Sequence, residues 1–339
     1  MSRRFDVAVL GADSAVGAAV LELLAERRFP LGELSALTLD GEEAATVEFA
    51  GNPLPLEDAV GFGYGQVQLA FLAGDDPRYV AEAERAADAG CIVIDASGQD
   101  WRDPQIPRVV TSVNPVALAD FNERGIVAAP DRIITALLPA LDALDRVGGL
   151  QRVTATVIVP VSDAGRAGQE DLARETAALL NARAYERRVF PQQIAFNVLG
   201  QLGATGEDGR TGRERRIVGE LRVLLNRPEL PVGLQLVHVA SFFGYAMSLE
   251  LALERMPEAS VLVEALAGAP GVEVADSPDP ADCPSPVVDA TRSAVVRVAR
   301  LRLGAGPQAL ALWLTADNIR YAAALNAVTA AEILARDHL

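Results

Sequence analysis

The chain opens on a repeated pattern of short apolar run, tight turn and amphipathic stretch. Residues 5–11 read F-D-V-A-V-L-G, an apolar strand ending on glycine. Beyond it Val16, Ala19, Val20, Leu23 and Leu24 recur at helical spacing and predict one buried face. Residues 34–39 predict a second strand, and 67–72 a third, closed by Ala73-Gly74. Residues 76–89 read as a helix, 91–95 as a buried strand, and 107–113 as extended chain. A short helix starts at Asn114-Pro115, and 126–129 is the last strand of the series. Strands alternating with helices predict a mostly parallel, doubly wound, Rossmann-like sheet.

The pattern changes after Leu150. Residues 151–161, Q-R-V-T-A-T-V-I-V-P-V, alternate along one long strand, and 163–181 form an amphipathic helix. Residues 234–241, 246–253, 294–303 and 309–315 are strand-like, whereas 215–226 and 257–267 are helical. Residues 276–286 form a proline-rich loop, and 317–336 a final helix. Long strands without regular crossovers predict a second, α+β domain around a mixed sheet. The fold class is therefore α/β with an added α+β domain.

Composition narrows the function. The chain has 339 residues, 50% hydrophobic and 22% charged, enough for two domains with ample core. Its net charge of −16 repels nucleic acid and anionic membrane surfaces. No apolar run reaches the roughly 18–20 residues of a membrane span, and the direct passage from M-S-R-R-F-D into a strand-like V-A-V-L gives the expectation of no signal peptide. Cytoplasm is the expected compartment. Cys91 and Cys283 supply neither a disulfide framework nor a zinc pattern, so no metal site is expected. Cys91 opens a buried strand and reads as a small core residue. Every basic residue is arginine, which excludes a Schiff-base lysine and a phosphate-loop lysine. His238 and the penultimate His338, expected to be disordered, are the only histidines.

Two places hold candidate chemistry. The first is the turn Gly11-Ala12-Asp13-Ser14-Ala15-Val16-Gly17, the opening of a dinucleotide-binding βαβ unit. Gly11 and Gly17 are in place, but Ser14 stands where a glycine would let backbone approach a pyrophosphate. Asp13 adds a like charge. At about 4 Å from a phosphate it costs up to ~4 kcal/mol at an effective dielectric near 20. That weakens binding by about three decades. The turn thus reads either as a weak nucleotide seat or as a phosphate-free βα turn. Asp40-Gly41-Glu42-Glu43 follows the second strand. It reads either as a partner for the ribose 2′-hydroxyl, favouring NAD over NADP, or as a solvated acidic loop.

The second place is Ala129-Pro130-Asp131-Arg132. Pro130 stops a strand, Asp131 is an expected N-cap, and Arg132 begins a helix. A helix N-terminus is a good seat for an anionic nucleophile. Arg132 is no nucleophile, and its charge there costs roughly 0.3–1 kcal/mol.

Taken in order, G-A-D-S-A-V-G (11–17), F-L-A-G (71–74), V-I-D-A-S (93–97), V-N-P (113–115) and A-A-P-D-R (128–132) form the first half of a larger pattern. V-S-D-A-G-R-A-G (161–168), A-F-N-V (195–198) and L-W-L-T-A-D-N-I-R-Y-A-A-A-L-N-A-V (312–328) complete it. The whole resembles the aspartate-semialdehyde dehydrogenase family over nearly the full chain.

The resemblance implies an NADP-dependent acylating dehydrogenase in amino-acid biosynthesis that works as a homodimer. It implies a Rossmann-like domain of residues 1–129 plus 318–339, and a substrate and dimerisation domain of residues 130–317. It implies nucleotide contacts from Gly11, Ser14, Ala15, Val16, Gly17, Asp40, Gly74 and Asn318. It also implies a cysteine nucleophile, a glutamine that orients substrate, an arginine that grips its carboxylate and a histidine base. Here those positions fall on Arg132, Val159, His238 and Tyr245. His238 then reads as a strand histidine and Tyr245 as packing. A phosphate-binding arginine falls on Trp101 or Arg102. Four replacements predict a degenerate paralogue with no catalytic residues and a binding or assembly role. NAD or NADP would bind weakly if at all, and a small anionic metabolite could sit near Arg132. The alternative is an oxidoreductase with altered NAD(P) chemistry.

Overall fold

Phe5–Leu10 forms β1, and the chain turns at Gly11 into helix α1 (Ala15–Glu26). In the computed structural model, which describes residues 3–40 and 45–339, all five apolar residues expected on that helix face are buried. There follow β2 (Leu31–Thr38), β3 (Thr46–Phe49), β4 (Asn52–Asp58), β5 (Leu69–Leu72), helix α2 (Arg78–Asp88), β6 (Ile92–Asp95) and β7 (Ile126–Ala128). Helix α3 (Arg132–Gly148) comes next.

Among the described residues this sheet runs β3-β4-β2-β1-β5-β6-β7. Only the β3–β4 hairpin is antiparallel. The hairpin has no counterpart in the sequence pattern, because β4 buries no face and carries Pro53 and Pro55. The strand order reverses at β1: the chain steps out to β2, then returns to lay β5 on β1's other side. In doubly wound sheets that reversal opens a crevice at the carboxyl ends of the strands.

The second unit contains β8 (Leu150–Val159), α4 (Gly165–Leu180), β9 (Val198–Leu199), α5 (Gly212–Leu224), β10 (Val232–Val239) and β11 (Tyr245–Leu253). It continues through α6 (Ala259–Ala267), β12 (Val272–Val274), β13 (Val296–Leu303) and β14 (Ala309–Ala316). Its sheet runs β12-β13-β14-β11-β8-β10-β9 and is mixed: β8–β10 and β12–β13 are parallel, the other pairs antiparallel. On β8, Val153, Ala155, Val157 and Val159 are buried while Thr154 and Thr156 are exposed, so period-two patterning sets which face packs.

The two compact units are Met1–Thr135 with Ala322–Leu339, and Ala136–Tyr321. The sequence puts the crossings at 129/130 and 317/318. The structure puts them inside α3 and inside the wide turn Arg320–Leu325. By this division Asn318 lies in the second unit. The closing helix α7 (Asn326–Asp337) belongs to the first, held by Asn326. Its Oδ1 accepts from Thr111 N at 2.8 Å, and its Nδ2 donates to Val109 O at 2.9 Å. His338, expected to be disordered, stacks edge-on against Phe121 with centroids 5.9 Å apart. No described helix is long and apolar enough to cross a membrane. Among the described residues no group of three or more His, Cys, Asp or Glu side chains could hold a metal ion.

Candidate functional site

In the first unit the structure brings Gly11, Ser14, Gly17 and Gly74 together at the reversal point. Gly11 has φ +77°, and a Cβ there would lie 2.4 Å from Gly74 Cα. A Cβ on Gly17 would lie 2.2 Å from Gly11 O. Both positions therefore demand glycine for close backbone approach. Ser14 is the N-cap of α1: its Oγ accepts from Gly17 N at 2.9 Å and donates to Ala73 O at 3.0 Å. The hydroxyl thus ties together the two turns that a middle glycine would leave open. Ala15 and Val16 follow as the first helical residues.

Asp13 accepts from Thr38 Oγ1 at 3.0 Å, and the Tyr79 hydroxyl accepts from Leu39 N at 3.0 Å. Asp40 is exposed and takes the Arg78 guanidinium at 2.8 Å. Arg78 also pairs with Asp76 at 2.8 Å. The rest of the acidic stretch, Gly41-Glu42-Glu43, lies outside the described residues.

Arg132 is the first residue of α3, and Asp131 Oδ1 accepts from Ile133 N at 3.0 Å, as the expected cap requires. The Arg132 side chain is only 6% exposed. Its Nη2 meets Asp75 Oδ1 at 2.5 Å and Ser97 O at 3.2 Å. The expected anion seat is therefore already engaged by Asp75, and any exogenous anion there must compete with it. The Trp101 indole is buried and donates to Asp95 Oδ2 at 2.9 Å, while the Arg102 side chain is 91% exposed. Burial pushes the Asp95 carboxyl up, against hydrogen bonds from Ser97, Trp101 and Gln99. Burial also raises the Cys91 thiol to about 11, away from nucleophilic use.

In the second unit, parallel register sets Val159 beside His238 on β8 and β10, and Tyr245 begins β11. His238 is 6% exposed, and burial lowers its pKa, with Arg213 reinforcing that and Asp163 and Glu214 opposing it. Tyr245, expected to be mere packing, is fully buried yet donates its hydroxyl to Asp163 Oδ1. Arg213 grips the same carboxylate: Nη1 bonds Oδ2, and Nη2 reaches Oδ1 at 3.3 Å.

Asn318 Oδ1 accepts from Gly244 N at 2.9 Å, and its Nδ2 donates to Ser162 Oγ at 3.0 Å. It fastens the turns that carry Asp163 and Tyr245. Sequence reasoning passed over Asp163, Arg213 and Arg78. For the first two the available signal was Asp163 in a turn otherwise built from small residues. Arg213 precedes the helix expected at 215–226, although T-G-R-E is a capping box in which Thr211 and Glu214 bond reciprocally and which starts the helix at Gly212.

A family model described as "Semialdehyde dehydrogenase, NAD binding domain" matches residues 6–121. One described as "Semialdehyde dehydrogenase, dimerisation domain" matches residues 137–321. The chain is 38% identical over 335 residues to a USG-1 protein homolog of Azotobacter vinelandii, covering 98% of each. It is 36% identical over 343 residues to aspartate-semialdehyde dehydrogenase 2 of Vibrio cholerae, covering 100% of each. Among solved structures it is similar to aspartate semialdehyde dehydrogenase II from Vibrio cholerae complexed with ASA. There the TM-score is 0.94 at 35% identity, with 100% of both chains covered.

Proposed function

Because the chain belongs to the aspartate-semialdehyde dehydrogenase family, we propose that it is a member without the family reaction, serving as a homodimer in binding or assembly. Arg132 carries this reading. The position that the resemblance gives to a thiolate holds a buried guanidinium, ion-paired to Asp75. A guanidinium can neither attack an aldehyde nor leave from a thioester. Val159, His238 and Tyr245 remove the orienting amide, the clamp and the base from their usual places. Loss of a nucleophile or its base costs ~10⁴–10⁶ in rate.

Nucleotide contacts in this reading come from Gly11, Ser14, Ala15, Val16, Gly17, Gly74 and Asp40, and binding is weak, with NAD ahead of NADP. The close Gly11–Gly74 approach favours one second reading, an oxidoreductase with altered NAD(P) chemistry in amino-acid biosynthesis. The test is phosphate-dependent NADP reduction with aspartate semialdehyde on purified protein. No turnover is expected from the wild type or from Arg132→Cys. Turnover by either overturns the proposal.

A further inference from the structure

We propose that Asp163 is a built-in ligand: its carboxylate occupies a seat for small carboxylates formed by Arg213 and Tyr245, and so closes that seat to free ligands. Asp163 has the contacts of a bound acid rather than of a surface ion pair. Its side chain is only 5% exposed. One face takes the two Arg213 terminal nitrogens, one on each oxygen. The Tyr245 hydroxyl adds a third donor from a strand whose first residue is fully buried. A guanidinium fork with a hydroxyl on the same carboxylate is how proteins hold carboxylic acids.

The three side chains come from three elements. Asp163 stands in the short helical turn Val161–Ala164, Arg213 in the first turn of α5, and Tyr245 at the start of β11. Sequence neighbourhood therefore does not explain their meeting. Arg213 is 29% exposed at its side chain, so one wall of the seat borders solvent. Three donors on one carboxylate exceed what neutralising an arginine requires. The inference concerns this cluster alone and holds whether or not the chain turns over a semialdehyde.

The test is chemical rescue followed by thermal unfolding. Asp163→Ala vacates the seat while leaving Arg213 and Tyr245 in place. Its Tm is expected to fall. Formate or acetate is then expected to raise it saturably, by about 3 °C at tenfold the dissociation constant. Chloride at equal ionic strength should give no such rise, and neither should the wild type with any of these ions. Asp163→Ala with Arg213→Met should lose the response to acetate. Should Asp163→Ala not fold, Asp163→Ser keeps an acceptor for Tyr245, and the same titration decides. A variant that gains nothing from formate or acetate beyond chloride, or a wild type that gains as much, would overturn the proposal.

Discussion

The glycine turn of the first unit and the Asp163 cluster of the second are built from different parts. The turn is made of backbone. Gly11, Gly17 and Gly74 pack main chain against main chain, and Ser14, standing where the dinucleotide motif has a glycine, caps the helix. The cluster is made of side chains, and there the residues differ from those the resemblance implies. His238 and Tyr245 stand at positions the resemblance gives to arginine and histidine, and Asp163 and Arg213 now satisfy each other. Geometry fixed by close backbone contact has no room for an added atom. A constellation of side chains can be rewritten, provided each new polar group finds a partner.

Substitution at Gly17 tests that contrast most severely. A Cβ there would lie 2.2 Å from Gly11 O and 2.7 Å from Ala12 Cα. Gly17→Ala should cost about 3 kcal/mol by urea unfolding, despite roughly 1 kcal/mol gained in helix propensity. A change below about 1 kcal/mol would show that the turn yields as easily as a side-chain site.

A smaller effect is expected from acid at His238. Its folded pKa lies below the ordinary 6.5, chiefly through burial. Between the two values the unfolded chain holds more protons, so stability is full above 6.5 and falls as pH drops towards the folded pKa. His238→Gln should flatten this part of the Tm–pH curve. An unchanged curve would remove the histidine from the balance of charges around Asp163.

Smallest in stability, though telling for ligands, is the Asp40–Arg78 pair. Both side chains are exposed, so Asp40→Ala should leave Tm unchanged. Calorimetry should find NAD bound more tightly than NADP by the wild type. Asp40→Ala should narrow that gap by removing one carboxylate and loosening Arg78. Micromolar NADP affinity exceeding that for NAD would reverse the expected preference.

The fold was legible wherever burial imposes a period. The face of α1 and the alternation of β8 follow from the spacing of Val, Leu and Ala. The β3–β4 hairpin buries too little to leave such a trace. The candidate residues could be placed on their elements from the sequence but not given their partners. Arg132 could be placed on a helix start from Pro130 and Asp131, yet its bond to Asp75 joins residues far apart in the chain. The Asp163–Arg213–Tyr245 contact is equally non-local. Pairings of that kind have no periodic signature, and an acidic chain rich in arginine offers many candidates for each.

The closing helix α7 has a consequence for the order in which the protein is made. It completes the first unit from the far side of the sequence, through Asn326 on Val109 and Thr111 and through Glu332 on Arg27. The first unit emerges from the ribosome early but waits for residues 322–339 before its last contacts can form. The second unit is one uninterrupted segment, 136–321, and is fully synthesised sooner. The usual rule that the N-terminal domain matures first is therefore inverted. Until residues 322–339 are made, the surface of the first unit that α7 covers stays open to chaperones.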